Sequence, residues 1–588
     1  MKKKFTFVLL SAWMLLLQRS ASAQNAPVYA HAFQSTHDQG VWARAMTTDA
    51  QNNVYLTGLF HGTCDFDPSE NQQNLTYLGG TPGDVDGESD VFISKYDADG
   101  NLIWAKSLFE PTFDGMNEER PTAIALDNQN NLYLCGFTGT RGFFISKWST
   151  NGDEIWTRYF DDAPENNALT FGIKPILGGV VVNGFFTGTL DFDPSPTSVN
   201  SLTAFNNDAF LVSLDANGNF AWVKQFETNG AVFLTGLDTT SQGEIITSGV
   251  FVGSVDLNPD PNVQSIFTSQ STTFSAFSSI FAAKYSSSGD LIWSKHYRGT
   301  ATTDFLTTLV KTDSQDNVIV LSDFKGSTSF STTTTVSSTT NYNTFLSKAN
   351  SNGILLWAKK IAQDDGFLDS ASGANMAIDG CDNIYVSGEF TGTCDFDPSA
   401  NTHELQSLTN TRAVFIASYA QDGNYLSAFP IKGLGQPDFV EFNGYLPIAV
   451  DADQNLIAGG TFRNTLDFDP TDNTLELHSS IDPFSSIAGV FLAKYPNPSS
   501  CALANSTFTE DSWRIFPNPA QDEINIHFKE NQSQMIAQMI DMQGRIVLHE
   551  SFQNNQHFVL NIKNIPAGVY LLKMQTDKQT FTQKIIHQ

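Results

Sequence analysis

Most of this chain is built on one repeat, and that limits the fold more than any other feature. A short apolar strand ending in Asp is followed by a turn and a strand of the type Asn-x-Tyr-x-x-Gly-x-Phe, often with Asp-Phe-Asp-Pro after it. A variable loop leads to Phe-Ile-Ser-Lys-Tyr, a Gly turn and a strand carrying Trp. The first copy reads TTDAQNNVYLTGLFHGTCDFDP and DVFISKYDADGNLIWAKSL; the sixth reads DNIYVSGEFTGTCDFDP and VFIASYAQDGNYLSAFPI. Trp104, Trp156, Trp222, Trp293 and Trp357 recur at spacings of 52 to 71 residues. β-Solenoid repeats run nearer ~20–30 residues. Four short strands per copy, separated by turn signals, suit a propeller blade. Copy six has Ser427 in place of Trp, and copy seven stops at Tyr495 without a fourth strand. The missing strand stands at the other end of the chain, where Ala26–Phe33 aligns with LIWAKSLF and puts Tyr29 where Trp104 sits. An open array would leave strand edges unpaired. The expectation is therefore an all-β chain: a seven-bladed β-propeller over residues 24–495, closed by its N-terminal strand.

Antiparallel order gives such a ring two unlike faces. Tight turns such as Asp97–Gly100 and Asn128–Asn131 fall on one face. The long connections Ser69–Asp90, Ser195–Asp208, Asp260–Ser279, Ser399–Arg412 and Thr471–Ala488 fall on the other. Binding residues tend to sit on long loops over a rigid scaffold, so the loop-rich face is the expected working face.

The two ends of the chain read differently from the repeat. Lys2, Lys3 and Lys4 precede an apolar run, Phe5 to Leu17, and Ala21-Ser22-Ala23 supplies a cleavage site. Residues 1–23 are read as a signal peptide, because about 13 apolar residues fall short of the ~20 that a spanning helix needs. No later segment is long and apolar enough to cross a bilayer as a helix. Residues 496–509 form a Pro/Ser/Asn-rich linker, and 510–588 alternate as a small C-terminal β-sandwich.

Net charge narrows the partners. With 32 Lys plus Arg against 62 Asp plus Glu, the formal charge is −30. That excludes nucleic acid as the expected partner, since phosphate recognition needs a basic surface. Five cysteines, none in CxxC, make neither a disulfide framework nor a zinc site, and are expected as small buried side chains.

Candidate chemistry is sparse. The Asp-x-x-Gly-x-x-x-Trp element is read as a hairpin turn whose Trp packs between blades. Asp65 and Asp67, Asp191 and Asp193, Asp395 and Asp397, and Asp467 and Asp469 alternate in pairs at strand ends. Two such carboxylates make calcium the weak metal reading. The stronger reading is a strand exit, where Asp caps a turn and Pro stops pairing. There is no GxSxG, HExxH or P-loop, so no catalytic or cofactor residue is assigned and the chain is not read as an enzyme. Acidic residues fall mostly at repeat-equivalent places, whereas a site normally breaks symmetry.

Two resemblances add to this. Phe516-Pro517-Asn518-Pro519, Asp541-Met542-Gln543-Gly544-Arg545 and Pro566-Ala567-Gly568-Val569-Tyr570 stand in order near the C-terminus. This stretch resembles the C-terminal sorting domain of type IX (Por) secretion cargo of Bacteroidota, with Pro517, Asn518, Pro519, Asp541, Gly544, Arg545, Gly568 and Tyr570 as the matching positions. The resemblance implies export through both membranes, the secretion machinery as partner, and a secreted or surface product. Residues 26–495 resemble the seven-bladed bacterial propeller repeat, which implies fold and hardly any function. The expected function is a binding or scaffold protein taking a protein or glycan on the loop-rich face. An extracellular polysaccharide hydrolase or lyase, and a structural surface-layer component, are the alternatives. An isolated carboxylate pair or Arg cluster in the central funnel would favour the enzyme.

Overall fold

The computed structural model describes residues 25–496 and 513–587, apart from 37–39, 78–88, 109–118, 139–141, 162–166, 261, 272–276, 301, 365–369, 408–411, 434–445, 472, 481–486, 541–545 and 577–579. The leader 1–23 and nearly all of the linker lie outside these residues. The chain divides into two units, Met1–Ser500 and Cys501–Gln588.

The larger unit is propeller-like. Its strands pair antiparallel in consecutive groups of four. Val41–Thr48, Val54–Phe60, Asp90–Tyr96 and Leu102–Leu108 make the first group. Glu119–Leu126, Leu132–Thr138, Gly142–Trp148 and Glu154–Asp161 make the second. The third begins at Ala168–Ile176, the fourth at Ala231–Thr239, the fifth at Asp304–Thr312 and the sixth at Ser370–Ile378. The last group draws on both ends of the repeat region: Ile448–Val450, Leu456–Phe462 and Gly489–Tyr495 are completed by Tyr29–Phe33, in register from Tyr29↔Lys494 to Phe33↔Val490. Each first strand lies against the next, and Ile448–Val450 lies against Val41–Thr48. No described sheet closes on itself by hydrogen bonds.

Burial explains why the middle strands read as apolar runs rather than alternating ones. Val54–Phe60 and Asp90–Tyr96 are buried along their whole length, whereas the outer strand Leu102–Leu108 mixes exposed and buried positions. A strand covered on both faces needs apolar residues on both. The cores are accordingly seams between consecutive groups. Phe143 and Phe160 of the second pack with Phe186 and Phe210 of the third. Tyr29, Ile457 and Leu492 of the last pack with Val41, Phe60 and Phe92 of the first. Burying one such Phe contributes roughly 1.5–3 kcal/mol.

Every first strand except the shortest carries an irregularity at the same level, at Arg44, Thr122, Phe171, Thr235, Leu306–Thr307 and Ala374. A bulge adds local twist and leaves backbone groups without a ladder partner. Polar side chains of neighbouring second strands take up these groups. Asn183 Nδ2 donates to Leu234 O at 2.8 Å, Thr461 Oγ1 accepts from Ala43 N at 3.0 Å, and Asp323 Oδ1 accepts from Gly373 N at 2.7 Å.

The smaller unit is a five-stranded sheet of Trp513–Phe516, Glu523–Ile540, Ile546–Asn561, Gly568–Thr576 and Thr580–His587. The register of Glu523–Ile540 against Ile546–Asn561 breaks between His527 and Gln532. Ile524 and Ile526 before the break share one buried cluster with Met535, Ala537 and Met539 after it. Two long folded strands thus take the place of several short ones.

Cys381 corrects the expectation for the cysteines: it is disulfide-bonded, while Cys64 and Cys135 are free and buried and Cys394 is buried. The spacing of the cysteines in the sequence does not point to this bond.

Candidate functional site

The Asp-Phe-Asp-Pro motifs are turn structures, and the same backbone hydrogen bonds recur in all four. In the first motif, Asp65 Oδ1 accepts from Asp67 N at 3.1 Å and from Gln73 N at 2.9 Å, and Asp67 Oδ1 accepts from Ser69 N at 2.9 Å. The other three repeat this geometry. Asp191 Oδ1 accepts from the amides of Asp193 and Asn200, and Asp193 Oδ1 accepts from Ser195 N at 2.9 Å. Asp395 Oδ1 accepts from the amides of Asp397 and His403, and Asp397 Oδ1 accepts from Ser399 N at 2.9 Å. Asp467 Oδ1 accepts from the amides of Asp469 and Leu475, and Asp469 Oδ1 accepts from Thr471 N at 2.8 Å. In every pair, Asp193, Asp397 and Asp469 included, one carboxylate oxygen holds the backbone of its own turn. Among the described residues no group of three or more His, Cys, Asp or Glu is arranged to hold a metal. The intervening Phe66, Phe192, Phe396 and Phe468 are fully buried anchors. Tyr96, Tyr419 and Tyr495 donate their hydroxyls to the carbonyls of Phe66, Phe396 and Phe468.

The repeated Lys and Trp belong to the seams. Lys95 Nζ stands 3.6 Å from Asp49, which caps the turn of its own group, and reaches Thr150 O of the next group, where Trp104 Nε1 also donates. Lys147 with Trp156 converges likewise on Ala216 O, and Lys348 with Trp357 on Gln421 O. Gly152 and Gly218, at φ +80° and +78°, lie under the Trp104 and Trp156 rings, where a Cβ would stand 2.8 Å from the indole. Tyr29 lies over Gly100 in the same way, and Lys494 reaches Ala98 O. A packing role accounts for these residues, including the Lys, whose role the sequence reading had missed.

What departs from the repeat is gathered around one cavity. It encloses about 710 Å³ between the first strands and is lined from every four-stranded group. That volume suits a small ligand or part of a larger one. In second strands, one position reads Leu59, Phe137, Phe185, Val250, Asp323, Glu389 and Thr461 along the chain. Two consecutive copies thus carry a carboxylate where most others carry an apolar side chain. Asp323 is buried and accepts from Thr344 Oγ1 and Gly373 N, both at 2.7 Å. Glu389 Oε2 pairs with Arg412 Nη1 at 3.2 Å, while its Oε1 is buried with no hydrogen-bond partner among the described residues. Burial pushes the Glu389 carboxyl up to about 7, against the lowering effect of Arg412.

Around the loop-side mouth the wall is uneven. Phe171, Phe185, Phe233 and Phe277 form a chain of ring contacts with centroids 4.7–6.0 Å apart. The Arg463 guanidinium lies over Trp42, and Tyr342 donates to Asp304. Comparing the copies position by position would have exposed Asp323 and Glu389, since Ser-Asp-Phe and Gly-Glu-Phe stand out from Gly-Leu-Phe and Gly-Val-Phe.

In the smaller unit, Asn518 Oδ1 accepts from Ile586 N at 2.9 Å and Tyr570 OH donates to Pro566 O at 2.6 Å. Both peptide bonds into Pro517 and Pro519 are cis. Gly568 opens the strand that carries Tyr570. Asn518 thus ties the two ends of the unit together, while Tyr570 closes a local contact. Asp541, Gly544 and Arg545 lie outside the described residues.

Residues 514–588 match the family model described as the secretion system C-terminal sorting domain. The chain carries that domain, and its class is a secreted or cell-surface protein with a propeller-like fold. The sorting domain implies interaction with the type IX secretion machinery. An uncharacterized WD repeat-containing protein of Acanthamoeba polyphaga mimivirus is 24% identical over 510 residues, covering 71% of this chain and 35% of that protein. The regulatory protein FlaEY of Caulobacter vibrioides is 24% identical over 219 residues, covering 34% of this chain and 20% of that protein. The chain thus spans about a third or less of either curated relative. Among solved structures, a protein of unknown function from Dyadobacter fermentans aligns at TM-score 0.35 and 9% identity, over 81% of this chain and all of that one. A virginiamycin B lyase of Staphylococcus aureus aligns at TM-score 0.29 and 9% identity, over 79% of this chain and 99% of that one. No helix among the described residues is long and apolar enough to cross a membrane.

Proposed function

We propose that this chain is a seven-bladed propeller, closed by Tyr29–Phe33, that the sorting domain delivers to the outer face of the outer membrane or the medium. There it binds a protein or glycan at the loop-side mouth of its channel. Three observations support the closed ring: the pairing of Tyr29–Phe33 with Gly489–Tyr495, the shared core between last and first groups, and the Ser35↔Cys64 bridge at the rim. The single observation behind the binding role is Glu389, half-buried in the channel wall with its buried Oε1 unpartnered among the described residues. Leaving such a group unmet is costly, and a ligand hydroxyl or amide would satisfy it. Mass spectrometry of fractionated host cells and medium tests delivery, and an intact C-terminus confined to the periplasm would refute it. A glycan array and a surface-protein array, probed with wild type and Glu389→Gln, test binding. The reading requires a signal that the substitution weakens about tenfold or more.

Asp323 and Glu389 on consecutive blades favour a second reading, a polysaccharide hydrolase or lyase, since glycoside cleavage uses two carboxyl groups in unlike environments. Release of reducing or unsaturated ends from acidic and neutral polysaccharides, abolished by Glu389→Gln, would establish it.

A further inference from the structure

One ring level of the first strands carries a second break in symmetry. Register against the second strand places Thr47, Ala125, Lys174, Asp238, Lys311, Ala377 and Ala449 at equivalent positions, opposite Tyr55, Tyr133, Val181, Ile246, Ile319, Tyr385 and Ile457 in turn. Four copies fill this place with Ala or Thr, so the fold makes no demand for charge there. Three consecutive copies carry Lys, Asp and Lys, and these side chains meet. Lys174 Nζ stands 2.8 Å from Asp238 Oδ1. Asp238 Oδ2 accepts from Thr312 N at 2.7 Å and Thr312 Oγ1 at 3.1 Å. Both carboxylate oxygens are therefore engaged, and Lys311, which lines the same cavity as Lys174, has no acceptor of its own among the described residues.

Lys174 and Lys311 are half-buried, and the fully buried lysines sharpen the contrast. Lys95, Lys147, Lys348 and Lys494 each face a carboxylate and reach a hairpin carbonyl of the next group. Two ammonium groups share one carboxylate, which leaves a net positive charge in a chain of formal charge −30. Burying an uncompensated charge is unfavourable, and a fold that did not use it would be more stable with Ala. The Lys174 ammonium, with burial, holds Lys311 down at about 8, as expected for a cation facing another cation.

We propose that the turn-side end of the channel is an oxyanion site, in which Lys311 and Lys174 hold a sulfate, phosphate or carboxylate group. The site lies two residues from the Asp313–Asn317 turn, at the opposite end of the first strands from the loop-side mouth. It does not depend on the Glu389 reading. The oxyanion has two sources, a free inorganic ion or an acidic group on a larger ligand, and the site geometry is the same for both.

The test uses the exported protein with its leader removed. Inorganic sulfate and glucose 6-sulfate are titrated calorimetrically into wild type and Lys311→Met at pH 7. Lys311→Met leaves the Lys174–Asp238–Thr312 contacts in place. The expected result is binding that Lys311→Met weakens at least tenfold. Such binding of both probes identifies a site open to a free ion, and of the sugar sulfate alone a site for an acidic group on a larger ligand. An isotherm absent for both probes, or unchanged by the substitution, overturns the proposal. If Lys311→Met does not fold, wild-type lysine acetylation is mapped by mass spectrometry with and without each probe at matched ionic strength. Selective protection of Lys311 by sulfate or the sugar sulfate supports the site, and equal labelling in all samples refutes it.

Discussion

The seams between strand groups and the wall of the channel are made from the same repeat but follow different rules. At the seams, each copy does nearly what the previous one did: an Asp-capped turn, a buried Lys and an aromatic ring over a left-handed Gly. Along the channel, copies at the same register position differ in charge, size and polarity. A seam must be made at every junction, so departures there lose stability everywhere equally. The channel wall is under no such demand, and its departures are where chemistry can be added to a symmetric scaffold. Within one chain, the other copies serve as controls for what the fold requires.

Removing the N-terminal strand Tyr29–Phe33 should blur the comparison most. Deleting residues 24–33 leaves Gly489–Tyr495 with an unpaired edge and strips Tyr29 and Phe33 from the last seam. Loss of the monomer to aggregation is expected, read by size-exclusion chromatography. A monomer with unchanged Tm would mean that the strand contributes little to the last seam.

Next comes a single seam. Lys348 lies 2.7 Å from Asp313, both nearly fully buried. Lys348→Met should lower stability by about 3–5 kcal/mol, because it strands a buried carboxylate. In urea unfolding the matched channel change, Lys311→Met, should be neutral or stabilising. Equal losses at the two positions would erase the distinction between seam and channel.

Glu389 gives a smaller, pH-dependent effect. Its carboxyl moves from an ordinary 4.5 to about 7 on folding. Between those values the folded chain holds more protons than the unfolded one, so stability falls as pH rises from 4.5 to 7. Glu389→Gln should flatten that slope by about 2 kcal/mol, after a discount for the solvent-exposed Arg412. Denaturant midpoints of the two proteins at pH 5 and pH 7.5 measure the difference, and parallel pH profiles would place the carboxyl in a solvated setting.

The smallest effect is expected at the turn motif. Asp65→Ala frees the amides of Asp67 and Gln73 and should cost about 1 kcal/mol. Millimolar calcium should leave the Tm of wild type where it is. A rise of several degrees that Asp65→Ala removes would establish the metal reading of these carboxylates.

The seam residues were legible in the sequence because each acts over a short stretch: Gly at the turn, Asp four residues from the Asn it holds, Phe between two Asp. Repetition then made them visible several times over. Glu389 and Asp323 were legible only by comparing copies, since a single Glu in an apolar strand carries no motif. The Cys381 disulfide left no trace in the cysteine spacing.

By itself, the sequence determined the four-strand repeat, the displaced strand at Tyr29 and the sorting domain, because local periodicity and turn chemistry dictate each. Only the tertiary structure decided that Lys174, Asp238 and Lys311 meet. Those residues are far apart in the chain and share no local pattern. They come together because consecutive first strands curve round one channel in a common register, and that register depends on how every seam packs.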